Sequence, residues 1–434
     1  MRSRFDDPPS KSDSDDRSGK GSVHMTHTLA PKNAGEVEEA VRWAHGEKKT
    51  LAVIGTGSKR ALGRPSQVDA TLDLSGLCGV TLYEPNELVL SARSGTPIAE
   101  IARLVADNGQ QLAFEPADLS ALLGGAPGTG TLGGVLAVNL SGSRRIVSGA
   151  ARDHFLGFSA VSGRGETFKS GGRVVKNVTG YDLSKLMAGS FGTLAVTTDV
   201  TIKVLPRPET EATILVLGLD PASAVAAIAA ALGSPFEVSG AAHLPGPVAA
   251  RTDGVLPAGH SVTALRLEGV APSVAHRKAM LLRLLDSRGS LGELDAAASA
   301  TLWRTVRDVT PFAAPPGGAD AARPVWRIST VPSRGPEIAD IVAARTDADF
   351  LFDWAGGLVW ASLAPADDAG AAIVRAATAS CTGHATLIRA PAAVRAAVSV
   401  FEPQPAPLAA LTKRVKESFD PARILEPGRM WAGV

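Results

Sequence analysis

The chain has 434 residues, 45% of them apolar and 20% charged, which suits two globular domains and excludes a wholly disordered protein. Lysine plus arginine (44) nearly cancels aspartate plus glutamate (43), and a net charge of +1 gives no general attraction to nucleic acid. The two cysteines, Cys78 and Cys381, read as buried thiols of a reducing compartment and cannot hold a four-cysteine iron–sulfur cluster. No stretch reaches about 18 uninterrupted apolar residues, so no transmembrane helix is expected.

In chain order, residues 1–29 read as a disordered tail, because DDPPSKSDSDDRSGKGS has nothing to bury; Met25 is an alternative start to Met1. Asn33 and Glu36 have capping-box spacing before a helix with Val37, Val41 and Ala44 on one face. The strand TLAVIG runs into a glycine-rich turn at 55–63, and Thr96-Pro97 predicts a capped helix from Ile98 to about Asp107. Residues 194–204 alternate strictly, which predicts a half-buried strand closed by Pro206 and Pro208. Beyond Pro208 come strands at 211–219, 262–268, 325–330 and 357–363 and helices at 221–232, 273–287 and 367–380. That order predicts a second α+β domain with an antiparallel sheet. Residues 391–410, rich in Ala and Pro, read as a link back to the first domain.

Three glycine-rich segments are candidate binding elements. In IGTGSKRALG, residues Gly55, Thr56, Gly57 and Ser58, with Gly63 closing the turn, can gather backbone N–H groups around an anion, or simply make a tight turn. It is not the G-x-G-x-x-G fingerprint, since Arg60 stands at the third glycine. Gly130, Thr131, Gly133 and Gly134 permit a main chain to lie against a flat or anionic ligand. A third group holds Gly149, Asp153, Lys176, Asn177, Tyr181 and Asp182, then Gly189, Ser190, Gly192 and Thr193. Tyr181 equally suits packing, and Asp153 a structural acceptor. No histidine pair has HxH or HExxH spacing, so no metal site is predicted. His384 and Arg389 are candidates for a base and a carboxylate clamp, with Tyr181 a third catalytic candidate. Strand-end packing is the alternative. Arg144, Arg145 and Arg152 suit either phosphates or interface ion pairs.

These segments together resemble the FAD-binding domain of the vanillyl-alcohol oxidase / p-cresol methylhydroxylase superfamily. Within it, the chain is similar to the FAD-binding subunits of bacterial glycolate oxidase. The resemblance rests on GTGSKRALGRP (55–65), LYEPNELVLSARSGTPIAEI (82–101), GTLGGVLAVNLSGSRRIVSGAARDHFLGF (130–158) and KNVTGYDLSKLMAGSFGTLAV (176–196), and it extends to the ending FDPARILEPGRM. It implies an α+β fold with a two-part FAD-binding domain at 30–208, a cap-like α+β domain at 209–400, and a segment 401–434 returning to the first. It implies one non-covalent FAD. Gly55, Gly57, Ser58 and Gly63 would cradle the diphosphate, with Gly130, Thr131, Gly133 and Gly134 wrapped around it. Gly149 and Asp153 would stand near the flavin, and Gly189, Ser190, Gly192 and Thr193 on the adenine–ribose side. Glu426 stands where the family commonly has asparagine; a carboxylate cannot donate as an amide does. The implied partners are a homologous catalytic FAD subunit and an iron–sulfur subunit feeding quinone, in the cytoplasm at the inner face of the membrane. The missing histidine cluster points to a non-catalytic or electron-relaying subunit. The alternatives are a stand-alone 2-hydroxy acid dehydrogenase and a structural subunit with a degenerate flavin site.

Overall fold

The computed structural model describes residues 27–173, 180–252, 254–313 and 318–434. Met25 and most of the expected tail, together with Lys176 and Asn177, lie outside the described residues.

The first ordered helix, Ala34–Gly46, begins as its caps demand: the Asn33 side chain accepts from the amide of Glu36 at 3.0 Å. The return bond lands one residue early, from the Lys32 amide to the Glu36 carboxylate at 2.7 Å. Val37, Val41 and Ala44 are buried against Leu51, Leu72, Val196 and Leu425. Beside the helix runs a three-stranded parallel sheet, in the order His27–Leu29, Ala70–Asp73, Leu51–Ile54. A five-stranded antiparallel sheet follows, in the order Val80–Glu84, Val89–Arg93, Ala195–Lys203, Phe155–Ser162, Thr167–Gly171. The alternation at 194–204 is expressed in it, with Leu194, Val196, Thr198, Val200, Ile202 and Val204 all buried. The helix Ile98–Ala106 forms, but Thr96 does not cap it. Pro97 holds the N-cap position, and the Thr96 hydroxyl turns back to the Arg93 carbonyl at 2.7 Å.

Gln110–Gln111 and Leu205–Pro206 make a two-stranded pairing, and the largest sheet has eight antiparallel strands and is a duplication. Thr210–Leu217, Gly240–Leu244, Val262–Gly269 and Ser290–Leu294 carry the helices Pro221–Leu232 and Ala271–Leu285 in the order β-α-β-β-α-β. Val325–Ser329, Ala348–Asp353, Leu358–Leu363 and His384–Arg389 repeat that order with Gly335–Ala343 and Ala371–Ser380. In space each half runs fourth, first, third, second strand, and the two second strands meet through the pair His243–Phe352. This is the split βαβ motif twice over. The four helices cover one face of the sheet, and the other packs onto the first half of the chain through Leu62, Leu119, Leu122 and Leu140.

Two buried ionic groups lock the pieces together. Glu115 sits between Arg266 (2.8 Å) and Arg144 (3.5 Å), and Arg144 also holds Glu268 at 2.6 Å. Burial alone would raise the Glu115 carboxyl, but the Arg266 and Arg144 guanidiniums override it and hold it at about 2. The second group belongs to the helix Ala406–Phe419, formed where a link was expected. Pro405 and Pro407 occupy its N-cap and first turn, where a missing N–H costs nothing. Its Lys416 is fully buried and donates to Asp420 (2.7 Å), the Thr193 carbonyl (2.6 Å) and the Leu425 carbonyl (2.8 Å).

Candidate functional site

A cleft opens where the two sheets of the first half meet, enclosing about 910 Å³ of space when the open solvent at its mouth is included. One wall is the turn after the strand Leu51–Ile54. Gly57 takes φ +78°, open to side chains on glycine alone without strain, and its carbonyl accepts from the Arg60 amide. Among the described residues the amides of Thr56, Gly57, Ser58 and Lys59 have no hydrogen-bond acceptor, and all four residues line the cleft. The opposite wall is the helix Leu132–Val138, capped by the Thr131 side chain. A Cβ on Gly133 would stand 2.8 Å from Ser94 Cβ, so this glycine lets the helix press onto the strand behind it. The floor is Ala195, Thr197 and Val200, and Phe191 closes one end, stacked edge-on against Phe401 at 5.0 Å.

The cleft is electropositive. Lys59, Arg60 and Arg429 line it. Fully buried Glu426 pairs with Arg60 (3.2 Å) and Arg429 (3.0 Å), while its carboxylate also receives the Val53 amide (2.9 Å) and the Ser66 hydroxyl (3.2 Å). Both Glu426 oxygens are therefore spent on holding the turn, and the two arginines supply the donors that an amide would have brought. Lys59 has no carboxylate within ion-pair distance among the described residues. Burial lowers its pKa, opposed by the more distant Asp118.

Of the residues singled out in the sequence, the cleft brings together Gly55, Thr56, Gly57, Ser58, Thr131, Gly133, Gly134, Ser190 and Gly192. The amides of Gly133 and Gly134 are already taken, by the Ser94 carbonyl and the Thr131 hydroxyl, so these two offer close approach rather than donors. The others stand behind the wall. The Gly130 carbonyl accepts from Ile98, Gly63 packs under Arg429, and the Gly189 amide bonds Leu136. Thr193 bonds Ser190. Gly149 and Asp153 form a local cap, with the Asp153 carboxylate on the Ala150 amide at 2.9 Å. Tyr181 is 91% exposed. His384 and Arg389 lie at opposite ends of one strand, about 16 Å apart at strand rise, too far to serve one substrate as base and clamp. Arg389 staples the Phe312 and Arg323 carbonyls at 2.7 and 3.0 Å. Lys59, Arg60 and Arg429 all lie inside the segments that carry the family resemblance, GTGSKRALGRP and FDPARILEPGRM, yet none was assigned a binding role from the sequence.

This arrangement defines the class. The family model of an FAD binding domain matches residues 25–171. The crystal structure of p-cresol methylhydroxylase with substrate bound superposes with a TM-score of 0.67 at 14% identity, over 94% of this chain and 88% of that one. The fold is therefore that of the p-cresol methylhydroxylase type. The glycolate oxidase subunit GlcE of Escherichia coli is 34% identical over 395 residues, 91% of this chain and 96% of its own length. The chain belongs to the GlcE family within this FAD-binding superfamily. The glycolate oxidase subunit GlcD of Bacillus subtilis is 28% identical over 190 residues, 44% of this chain and 39% of the relative. Among the described residues no helix is long and apolar enough to cross a membrane, and no group of three His, Cys, Asp or Glu side chains is placed to hold a metal.

Proposed function

We propose that this chain holds one FAD non-covalently in the cleft and relays electrons within a complex oxidising a 2-hydroxy acid such as glycolate. Bound FAD would supply a reversible store for two electrons. The acceptor-free amides of Thr56 to Lys59 and the Lys59 ammonium suit its diphosphate, and the apolar wall from Leu136 to Val138 suits its rings. The observation that favours relay over substrate oxidation is the make-up of the wall. Among the described residues its ionisable side chains are Lys59, Arg60 and Arg429, with no histidine, carboxylate or tyrosine to take a substrate proton. Neither cysteine nor histidine lines it among the described residues, which supports reversible attachment. The partners would be a homologous flavin subunit, as the similarity to GlcD suggests, and an iron–sulfur subunit.

The test is the visible spectrum of the FAD-loaded protein under anaerobic conditions. Dithionite should bleach the flavin band and glycolate should leave it unchanged. Bleaching by glycolate at turnover rates would assign substrate oxidation to this chain. Lys59→Met should weaken FAD binding about 10- to 100-fold, the value of one charge-assisted hydrogen bond, and flatten the salt dependence of binding. An unchanged affinity in a flavin fluorescence titration would remove Lys59 from the site.

A further inference from the structure

The sheet face turned toward the first half of the chain carries Val325, Leu351, Leu358 and Trp360, and Arg327 lies on it two residues along the strand from Val325. Its guanidinium stacks on Trp354, 5.0 Å from the ring centre, and that of Arg145 stacks on the same indole at 4.2 Å. Trp354 is held in place by its own bonds, from the indole N–H to the Gly142 carbonyl (3.0 Å) and from its amide to Asp353 (2.7 Å). Among the described residues neither guanidinium has a hydrogen-bond acceptor or a carboxylate within ion-pair distance. Other arginines at this junction differ, since Arg144, Arg266 and Arg307 each have a carboxylate partner.

Asp353, next in sequence, supplies only part of the missing charge, attracting Arg327 from beyond ion-pair distance. Burial pushes its carboxyl up to about 7, and its oxygens are occupied by the Ser143 hydroxyl and the Trp354 amide. Burial, with Arg145 adding repulsion, pulls Arg327 down to about 10. Burial and the same two guanidiniums lower His384 as well. Two cations stacked on one indole in a partly desolvated junction repel each other, and the stacking itself contributes only about 0.5–2 kcal/mol each. Such an arrangement calls for an anion. Guanidinium forks match a planar carboxylate, which each can grip with two N–H groups. Val138 and Phe191, which line the flavin cleft, pack on the same apolar cluster as Trp354.

We propose that Arg145 and Arg327, stacked on Trp354, bind the carboxylate of a small organic acid at the junction of the eight-stranded sheet and the FAD-binding half. The choice of a 2-hydroxy acid as probe rests on the function proposed above; the site itself does not.

The experiment is thermal unfolding of the FAD-loaded protein titrated with glycolate at constant ionic strength, with glycolamide, the uncharged amide of the same acid, as comparison. Wild type should show a saturable rise in Tm with glycolate and none with glycolamide. Arg327→Met should start from a higher Tm, because an unpaired cation is removed, and should lose roughly tenfold or more of its glycolate affinity. No saturable rise in wild type, or an equal rise with glycolamide, would overturn the proposal, as would an unchanged glycolate response in Arg327→Met. If Arg327→Met unfolds early, Arg145→Met decides: a lost response upholds the site and a retained one overturns it. Because unfolding is read rather than flavin colour, bleaching by glycolate would overturn the relay reading and leave this one standing on the Tm titration.

Discussion

Glu115→Ala is expected to destabilise the protein by about 3–5 kcal/mol, the cost of removing one partner from a buried ionic group. Arg266 and Arg144 would be left to share Glu268, with Arg266 almost fully buried against Trp303. The same group predicts acid lability. The Glu115 carboxyl is lower in the folded chain than its ordinary value of 4.5, at about 2. Its contribution is thus complete above about pH 4.5 and is lost as pH falls toward 2. At about 1.4 kcal/mol for each tenfold change in proton affinity, that amounts to about 3 kcal/mol. Denaturant unfolding at pH 7 and pH 3 checks both statements. The substitution should cost much less at pH 3, where wild type has already lost part of the interaction. An equal cost at both pH values would mean that shape, not charge, makes Glu115 matter.

Lys416→Met should cost a similar 3–5 kcal/mol and should also release flavin. The ammonium is the shared donor for Thr193, beside the cleft loop, and Leu425, beside the strand that leads into the Gly55 turn. Its loss strands the Asp420 carboxylate in a fully buried site, although the amides of Ile424 and Leu425 still reach it. Adding Asp420→Asn should therefore recover part of the stability lost, a coupling that independent sites do not show. Chemical denaturation of the two single variants and the double variant measures it. Additive losses would show that the pair is not energetically linked.

Local rules served where the deciding partner is close in sequence. The stripe Val37, Val41, Ala44 and the alternation from Leu194 to Val204 are read from spacing alone, and the structure buries both sets. The Thr96 cap failed because Pro97 holds the N-cap position and the Thr96 oxygen accepts instead from the Gly79 amide, 17 residues back, while its proton goes to the Arg93 carbonyl. The helix Ala406–Phe419 was hidden by Pro405 and Pro407, which break a helix interior but suit its first turn. The cleft was legible as glycine turns and illegible as charge. Glu426 meets Val53 and Arg60 across most of the chain, and no pattern within either segment announces that meeting. The duplication in the eight-stranded sheet was equally hidden, since two halves can share a backbone plan while filling it with different side chains.

The bond between Val53 and Glu426 spans 373 residues. During synthesis at roughly 5–20 residues per second, the strand that leads into the cofactor turn waits roughly 20–75 s for the carboxylate that completes it. In that interval both repeats of the eight-stranded sheet emerge from the ribosome and have time to fold. Until then a nascent chain holds its Gly55–Lys59 turn without its clasp, and a translation product halted inside the second repeat carries every glycine of the cleft yet lacks the carboxylate that holds the turn.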